Sequence, residues 1–442
     1  MKIIYGVSEG RKALSRHLLS DDQNMAPEIM DSIKRIFGEN LTVEEAVRKI
    51  VSEVSRLGDQ AVNEYSMGLD GSDAANIAIN RDDMDQYLSE IPQETLDAMT
   101  RSAKRVREFN ASSLPRPWVD LERGFGEIIV PIERLGIYIP GGSGSYPSTV
   151  LMTAIPARVA GVKEIFLCTP PRTDGRLNPL VAAAAMMADV TKIFTIGGAQ
   201  AIAAMAYGTE SVPKVDMICG PGNIFVTTAK RMVFGEVNID GLEGPTETLL
   251  IADETANPSL CCADLLAQAE HDLLATPILI TTSKDVAESV QLELPVQLSR
   301  LSRKNVASIS VERQGVIVVV DSIEEALGLA NYYAPEHLCL MIKEPWLSIG
   351  KVRNAGGIFL GNYTPEVIGD YIAGPSHVMP TGGSARFASY LGVEQFLKRV
   401  PVVSLDRDMI KEFSPTAAIL ARAEGFDAHA RAAEIRLEIN VD

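Results

Sequence analysis

From about residue 127 onward, short apolar runs rich in isoleucine and valine recur at 165–168, 192–196, 215–219, 248–251, 278–281, 316–320, 338–342 and 357–360. Between them lie stretches with helical spacing, among them 180–188, 227–233, 260–271 and 323–332. Strands that alternate with helices make parallel sheets covered on both faces. The first hundred residues differ. Residues 43–57 and 93–110 combine helical spacing with many charges, which predicts a mostly helical lead-in, and the tail after Phe413 also reads as helix. No repeat of short period and no low-complexity segment interrupts the pattern.

The chain has 442 residues, more than one hydrophobic core usually supports, so two or more domains are expected. The expected fold is α/β: two Rossmann-like parallel-sheet domains with helical N-terminal and C-terminal extensions. Residues 127–245 form the natural middle domain. Residues 26–126 are expected to join 246–385 in the other, with 1–25 as an N-terminal arm and 386–442 as a C-terminal helical extension. A net charge of −17 repels phosphate backbones and anionic lipid, so neither nucleic acid nor membrane is an expected partner. No apolar run approaches the ~18 residues that span a bilayer. The first residues, Met1-Lys-Ile-Ile-Tyr-Gly, lack the apolar core and cleavage site of a signal peptide. The five cysteines, Cys168, Cys219, Cys261, Cys262 and Cys339, are odd in number, include no CxxC and read as buried thiols. A cytoplasmic location is expected.

Three glycine-rich turns follow apolar segments of the middle domain: Pro140-Gly-Gly-Ser-Gly144, Gly197-Gly-Ala-Gln200 and Gly220-Pro-Gly-Asn223. In an open α/β sheet, ligands bind where strands end and helix N-termini begin, and glycine lets a phosphate approach the backbone. None is a full GxGxxG. Each alone is an ordinary tight turn; three together leave dinucleotide or phosphate binding open.

Histidine is scarce, and four of the five lie in the last two-fifths of the chain. They occur in Gln268-Ala-Glu-His271-Asp, Pro335-Glu336-His337, Asp370-Tyr-Ile-Ala-Gly-Pro-Ser-His377 and Glu424-Gly-Phe-Asp-Ala-His429, whereas His17 stands alone. Imidazole is the commonest metal ligand and the side chain best suited to proton transfer near neutral pH, so one site with a metal and a general base is expected. Gln268 and His271 are three apart on a predicted helix and can share a face, although spacing alone fits ordinary helix surface as well. The N/O donors Gln268, His271, Asp370 and His429 suit a borderline cation such as zinc. Glu336 and His337 are adjacent at the start of a strand, where side chains point to opposite faces; they share a site only if the backbone bends there.

The longer motifs carry a resemblance. Gly136-Ile-Tyr138-Ile-Pro-Gly-Gly, Tyr146-Pro-Ser-Thr-Val-Leu-Met, Gly197-Gly-Ala-Gln200, Gly220-Pro-Gly-Asn223, Gly244-Pro-Thr246-Glu247, Ala267-Gln268-Ala-Glu-His271, Tyr333-Ala-Pro-Glu336-His337-Leu, Tyr363-Thr-Pro-Glu-Val-Ile-Gly-Asp370-Tyr, His377-Val-Met-Pro-Thr and Glu424-Gly-Phe-Asp-Ala-His429 resemble the histidinol dehydrogenase family, in the family's order, across residues 130–435. The resemblance implies a homodimer with NAD and one zinc ion per subunit, oxidising L-histidinol to L-histidine in two hydride transfers through an aldehyde, the last steps of histidine biosynthesis. It implies zinc ligands Gln268, His271, Asp370 and His429, a general base His337 with Glu336 beside it, substrate contacts from Thr246, His377 and Glu424 as well as the ligands and His337, and NAD contacts from Tyr138, Gln200 and Asn223. Residues 127–245 would then hold NAD, the joint domain would hold substrate and zinc, and 386–442 would contribute the dimer contact.

Three departures stand out. Thr246 occupies a position where the family often has serine, Ser376 one where asparagine is commoner, and Gly241-Leu-Glu243 differs from the usual apolar-alanine lead. None removes a ligand or the base. Two other readings stay open: a paralogue that oxidises another small primary alcohol, such as a sulfonated diol, to its carboxylate, and a zinc hydrolase that activates water with Glu336.

Overall fold

The apolar runs become two six-stranded sheets. The computed structural model describes all residues except 17–26, 71–77, 80–83, 142–143, 173 and 440–442. His17 and the middle of the Gly142-Ser143-Gly144 turn therefore lie outside the described residues. One sheet runs β1 (Lys2–Tyr5), β12 (Val316–Val319), β11 (Thr276–Thr281), β10 (Glu247–Ala252), β13 (His337–Met341) and β14 (Gly357–Leu360), with every neighbour parallel. The other runs β2 (Ala78–Ile79), β7 (Lys192–Phe194), β6 (Glu164–Cys168), β5 (Arg134–Tyr138), β8 (Met217–Cys219) and β9 (Asn238–Ile239). It is parallel except where β2 meets β7.

Every residue of β10 and β13 is buried, which is why these strands read as unbroken apolar runs. Their side chains alternate between two cores. Leu250, Leu279, Ile317 and Cys339 face the helices Pro258–Ala269, Lys284–Leu298 and Lys304–Arg313. Leu249, Ile251, Ile278, Val318 and Leu338 face the helix Ile323–Tyr333 and Leu14. Burying one such leucine or isoleucine contributes roughly 1.5–3 kcal/mol, so the sheet is a rigid base for whatever its strand ends carry. The register sets Thr248 opposite His337 and His337 opposite Gly357.

Three boundaries differ from the sequence reading. The segment 26–126, expected to join 246–385, instead sends its helices Val43–Leu57 and Asp59–Asp70 against the helices Gly198–Tyr207 and Ile224–Val233 of the second sheet. Their apolar faces match that core, and β2 pairs with β7 for the same reason. The arm expected over 1–25 is anchored, because β1 adds to the first sheet beside β12. The extension expected to be helical from 386 contains β15 (Leu397–Val403), whose Val-Pro-Val-Val stretch follows strand rather than helix preference.

By contacts, the chain divides into Met1–Ser113 with Glu133–Gln395, which holds both six-stranded sheets, and Leu114–Ile132 with Phe396–Asp442. The second unit is a three-stranded antiparallel sheet, β15, β4 (Phe125–Pro131) and β3 (Trp118–Asp120), plus the helices Arg407–Ala423 and Asp427–Glu438. Gly425 at φ 85° turns the chain between those helices. All five cysteines are free and buried. No helix among the described residues is long and apolar enough to cross a membrane.

Candidate active site

Glu336 and His337 sit at the amino end of β13, beside the amino end of β10. Ala334 takes a left-handed φ of 56°, unusual for a residue with a Cβ, and Pro335 follows it. The bend turns Glu336 alongside His337, so that Glu336 Oε2 stands 3.6 Å from His337 Nδ1. The backbone irregularity that the sequence required is present. Glu336 Oε2 accepts hydrogen bonds from the Thr246 hydroxyl (2.6 Å) and the Glu247 amide (3.0 Å).

His337 Nδ1 lies 3.2 Å from the Glu247 carbonyl oxygen and 3.0 Å from the Gln268 carboxamide. The Glu247 carbonyl can only accept and the Gln268 side-chain nitrogen can only donate, so Nδ1 is engaged by the protein in either tautomer and Nε2 is the nitrogen left to exchange protons with the site. Nε2 is buried without a hydrogen-bond partner among the described residues, 3.6 Å from Asp370 Oδ1. Burial opposes charge on this ring, but Glu336, Asp370 and Glu366 outweigh it and hold His337 at about 10. Burial pushes the Glu336 carboxyl above its ordinary range, against the pull of His337. It would raise Asp370 too; there the nearby charge of His337 wins and holds the Asp370 carboxyl below its ordinary range, as an ionised carboxylate.

A cavity of about 590 Å³ opens in front of this pair, lined by Thr246, Gln268, His271, Glu336, His337, Asp370 and His377. That size suits a small ligand. Gln268 lies in the helix Pro258–Ala269, but that helix ends before His271, which occupies the turn beyond it and keeps the link through its amide to the Gln268 carbonyl (3.1 Å). Desolvation on the cavity wall lowers His271 below the ordinary imidazole range, although the residue keeps an exposed surface, and its imidazole makes no hydrogen bond among the described residues. His377 is neutral for the same reason; its Nδ1 donates to the Asp370 carbonyl oxygen (2.9 Å), which leaves Nε2 to accept from the Thr149 hydroxyl (3.2 Å).

A carboxamide, a free neutral imidazole and an ionised carboxylate on one cavity are a donor set that fits a borderline dication. The set is partial: among the described residues no three His, Cys, Asp or Glu side chains form a complete cage. Glu424 and His429 belong to the second unit, Glu424 capping the helix Arg407–Ala423 and His429 in the helix Asp427–Glu438.

Tyr138, Gln200 and Asn223 gather at the carboxyl ends of the second sheet's strands. The Tyr138 hydroxyl accepts from the Gly198 amide (3.1 Å) at the start of the helix that carries Gln200. Asn223 caps the helix Ile224–Val233 through the amides of Phe225 and Val226. Gly220 between them is obligatory: its φ is 115°, and a Cβ there would stand 2.0 Å from the Tyr138 carbonyl oxygen. None of the three lines the cavity, although Tyr146 and Pro221 from neighbouring turns do.

The histidinol dehydrogenase family model matches residues 34–437. A histidinol dehydrogenase of Dehalococcoides mccartyi (strain CBDB1) is 46% identical over 442 residues, covering 99% of this chain and 100% of that protein. One from a Synechococcus strain is 46% identical over 399 residues, 89% of this chain and 92% of that protein. The crystal structure of histidinol dehydrogenase from Elizabethkingia anophelis superposes with a TM-score of 0.91 at 34% identity, over 99% of this chain and 98% of that one. The chain belongs to the histidinol dehydrogenase family. It is therefore an oxidoreductase.

In this histidinol dehydrogenase fold, two polar residues near the pair carried no separate signal in the sequence. Thr149 fixes the His377 ring, as described. Glu366 is fully buried, accepts from Thr248 (2.6 Å) and leaves its second oxygen without a partner among the described residues. Its place follows from register, since Thr248 faces His337 across β10 and β13. Burial raises its carboxyl from 4.5 to about 8. The folded chain thus holds that proton more tightly than the unfolded chain, and the associated stability is full below about 4.5 and lost as pH rises through about 8. Glu366→Gln removes this loss, so the melting temperature of the variant relative to the parent is expected to rise between pH 6 and pH 9. An unchanged difference across that range counts against a buried neutral Glu366.

Proposed function

We propose that this protein oxidises L-histidinol to L-histidine with NAD, through the aldehyde, in one site. The observation that carries the reading is the Glu336–His337 pair facing a small cavity that also presents Gln268, His271 and Asp370. We propose that these three, with His429, hold one zinc ion, and that Tyr138, Gln200 and Asn223 line the place of NAD. Zinc bound there would orient the substrate and offset the negative charge of Asp370, which would bring His337 down toward the range of a neutral base, while NAD accepts the hydride.

His337 Nε2 takes the hydroxyl proton of the alcohol as hydride leaves its carbon, giving the aldehyde. Glu336, raised by burial and steadied by Thr246 and the Glu247 amide, takes a proton from water as the water oxygen adds to the aldehyde carbon. His337 returns its first proton to the aldehyde oxygen, which completes the hydrate and frees Nε2 to accept a hydrate hydroxyl proton as the second hydride departs; the carboxylic acid so formed ionises to the carboxylate. Thr246, His377 and Glu424 contact substrate in this reading. Closure of the aldehyde within one site keeps a reactive intermediate from solvent.

We propose a homodimer, with residues 386–442 contributing its contact. The exposed apolar side chains Ile419 (69%) and Leu420 (60%) on the helix Arg407–Ala423, with Phe426 (52%) at the cap of Asp427–Glu438, suit a covered face. The net charge of −17 argues against nucleic acid or anionic membranes as partners, and a cytoplasmic location is proposed.

A substrate panel tests the proposal. NADH formation from NAD is measured with L-histidinol and with other small primary alcohols, including a sulfonated diol. Preference for L-histidinol is expected. Turnover of another alcohol with none from L-histidinol would overturn the substrate assignment while leaving the reaction type.

A further inference from the structure

Arg16 lies on the N-terminal segment, outside the cavity, yet its guanidinium reaches both strand ends that carry the chemistry. Nη1 and Nη2 form a forked ion pair with the two carboxylate oxygens of Glu247, the Nη2–Oε2 arm at 2.7 Å. Nε and Nη2 donate to the Tyr333 carbonyl at 3.1 and 3.0 Å, and Nη2 also reaches the Ala334 carbonyl at 3.4 Å. The guanidinium carbon stands 3.9 Å from the Tyr333 ring centroid. One planar group thus ties the start of β10 to the bend that delivers Glu336 and His337.

Glu247 is the link. Its side chain is only 6% exposed, and it meets Arg16 on the face opposite the one that carries His337. Its backbone amide donates to Glu336 Oε2, and its backbone carbonyl contacts His337 Nδ1. Whatever fixes Glu247 therefore helps set both the direction of the Glu336 carboxylate and the placement of the His337 ring. Ala334, held from the other side, is the left-handed residue on which the Glu336–His337 bend depends.

We propose that Arg16 is a positioning residue for the Glu336–His337 pair, acting through the Glu247 backbone and the Ala334 bend. The proposal rests on the reading of that pair as the acid–base machinery. Without Arg16 the buried Glu247 carboxylate loses its charge partner and keeps the Gly382 amide (3.2 Å) as a neutral donor, a loss costly enough to shift the strand end. Displacements of the order of 1 Å at a reacting pair cost about a hundredfold in rate. Arg16 touches neither the second sheet nor the donors on the cavity, so its effect falls on kcat rather than on the KM for NAD.

The test uses the full-length enzyme and compares Arg16→Ala, Arg16→Lys and, as a control, Arg11→Ala, which removes a neighbouring cation from the Tyr332 ring 4.5 Å away with no link to the pair. Arg16→Ala is expected to lose kcat by about ten- to a hundredfold with KM for NAD unchanged. Millimolar guanidinium should restore several-fold of that kcat, and equal sodium chloride should not. The side chain is 29% exposed, so a small cation can enter the gap. Arg11→Ala should keep parental kcat. If Arg16→Ala does not fold, Arg16→Lys carries the test: it keeps the charge but not the fork, and a lowered kcat is expected. Parental kcat in the foldable Arg16 variant overturns the proposal. So does a loss that tracks the folded fraction and does not respond to guanidinium. Absence of L-histidinol turnover in the parent would instead overturn the functional reading beneath it.

Discussion

His337→Asn is expected to lower kcat with L-histidinol by about a thousandfold, within the range of a lost general base. Asparagine preserves the amide-like contact to the Glu247 carbonyl that His337 Nδ1 makes at 3.2 Å. It offers nothing with comparable basicity in place of Nε2, the buried nitrogen beside Asp370. The proposed zinc donors and the NAD positions are separate residues, so metal content by atomic emission and NADH binding by fluorescence should match the parent. Turnover within tenfold of the parent would defeat the assignment of His337 as base. Loss of metal along with activity would mean the substitution had disturbed the donors instead.

The second large effect separates the two oxidations. Glu336→Gln keeps an oxygen able to accept from Thr246 and from the Glu247 amide, so the local hydrogen bonds survive. It cannot take a proton from water. The first oxidation needs no water, whereas the second needs the aldehyde hydrated. The variant should therefore lose about a hundredfold when supplied with the aldehyde and much less in the first turnover from L-histidinol. Rapid-mixing measurements of NADH from each starting compound decide this. Equal losses in both steps would remove Glu336 from the hydration role.

The sequence carried the local elements well because their causes are local. Strands buried on both faces must be apolar throughout, and the runs 248–251, 278–281 and 338–342 fall within or overlap β10, β11 and β13. The helices expected at 43–57 and 93–110 are Val43–Leu57 and Gln93–Ser112, the first with a Thr42–Glu45 capping box that a sequence displays openly. What escaped was set by distant partners. Residues 2–5 carry no sign that they pair with 316–319, and the helices of the first hundred residues do not declare which sheet their apolar faces cover. In the site, the clustered histidines pointed to His271, His337 and His377, which line one cavity with Gln268 and Asp370. Glu366 and Arg16 were not legible, because a glutamate and an arginine are ordinary residues until register and the chain's long-range folding set them against His337 and Glu247.

A four-electron oxidation at a metal-supported site is tested by the amount of NADH formed per L-histidinol consumed, before and after chelation. Two NADH for each L-histidinol are expected, with activity lost on removal of metal and restored by zinc. One NADH with aldehyde released to solvent, or full activity after metal removal, would contradict that reaction.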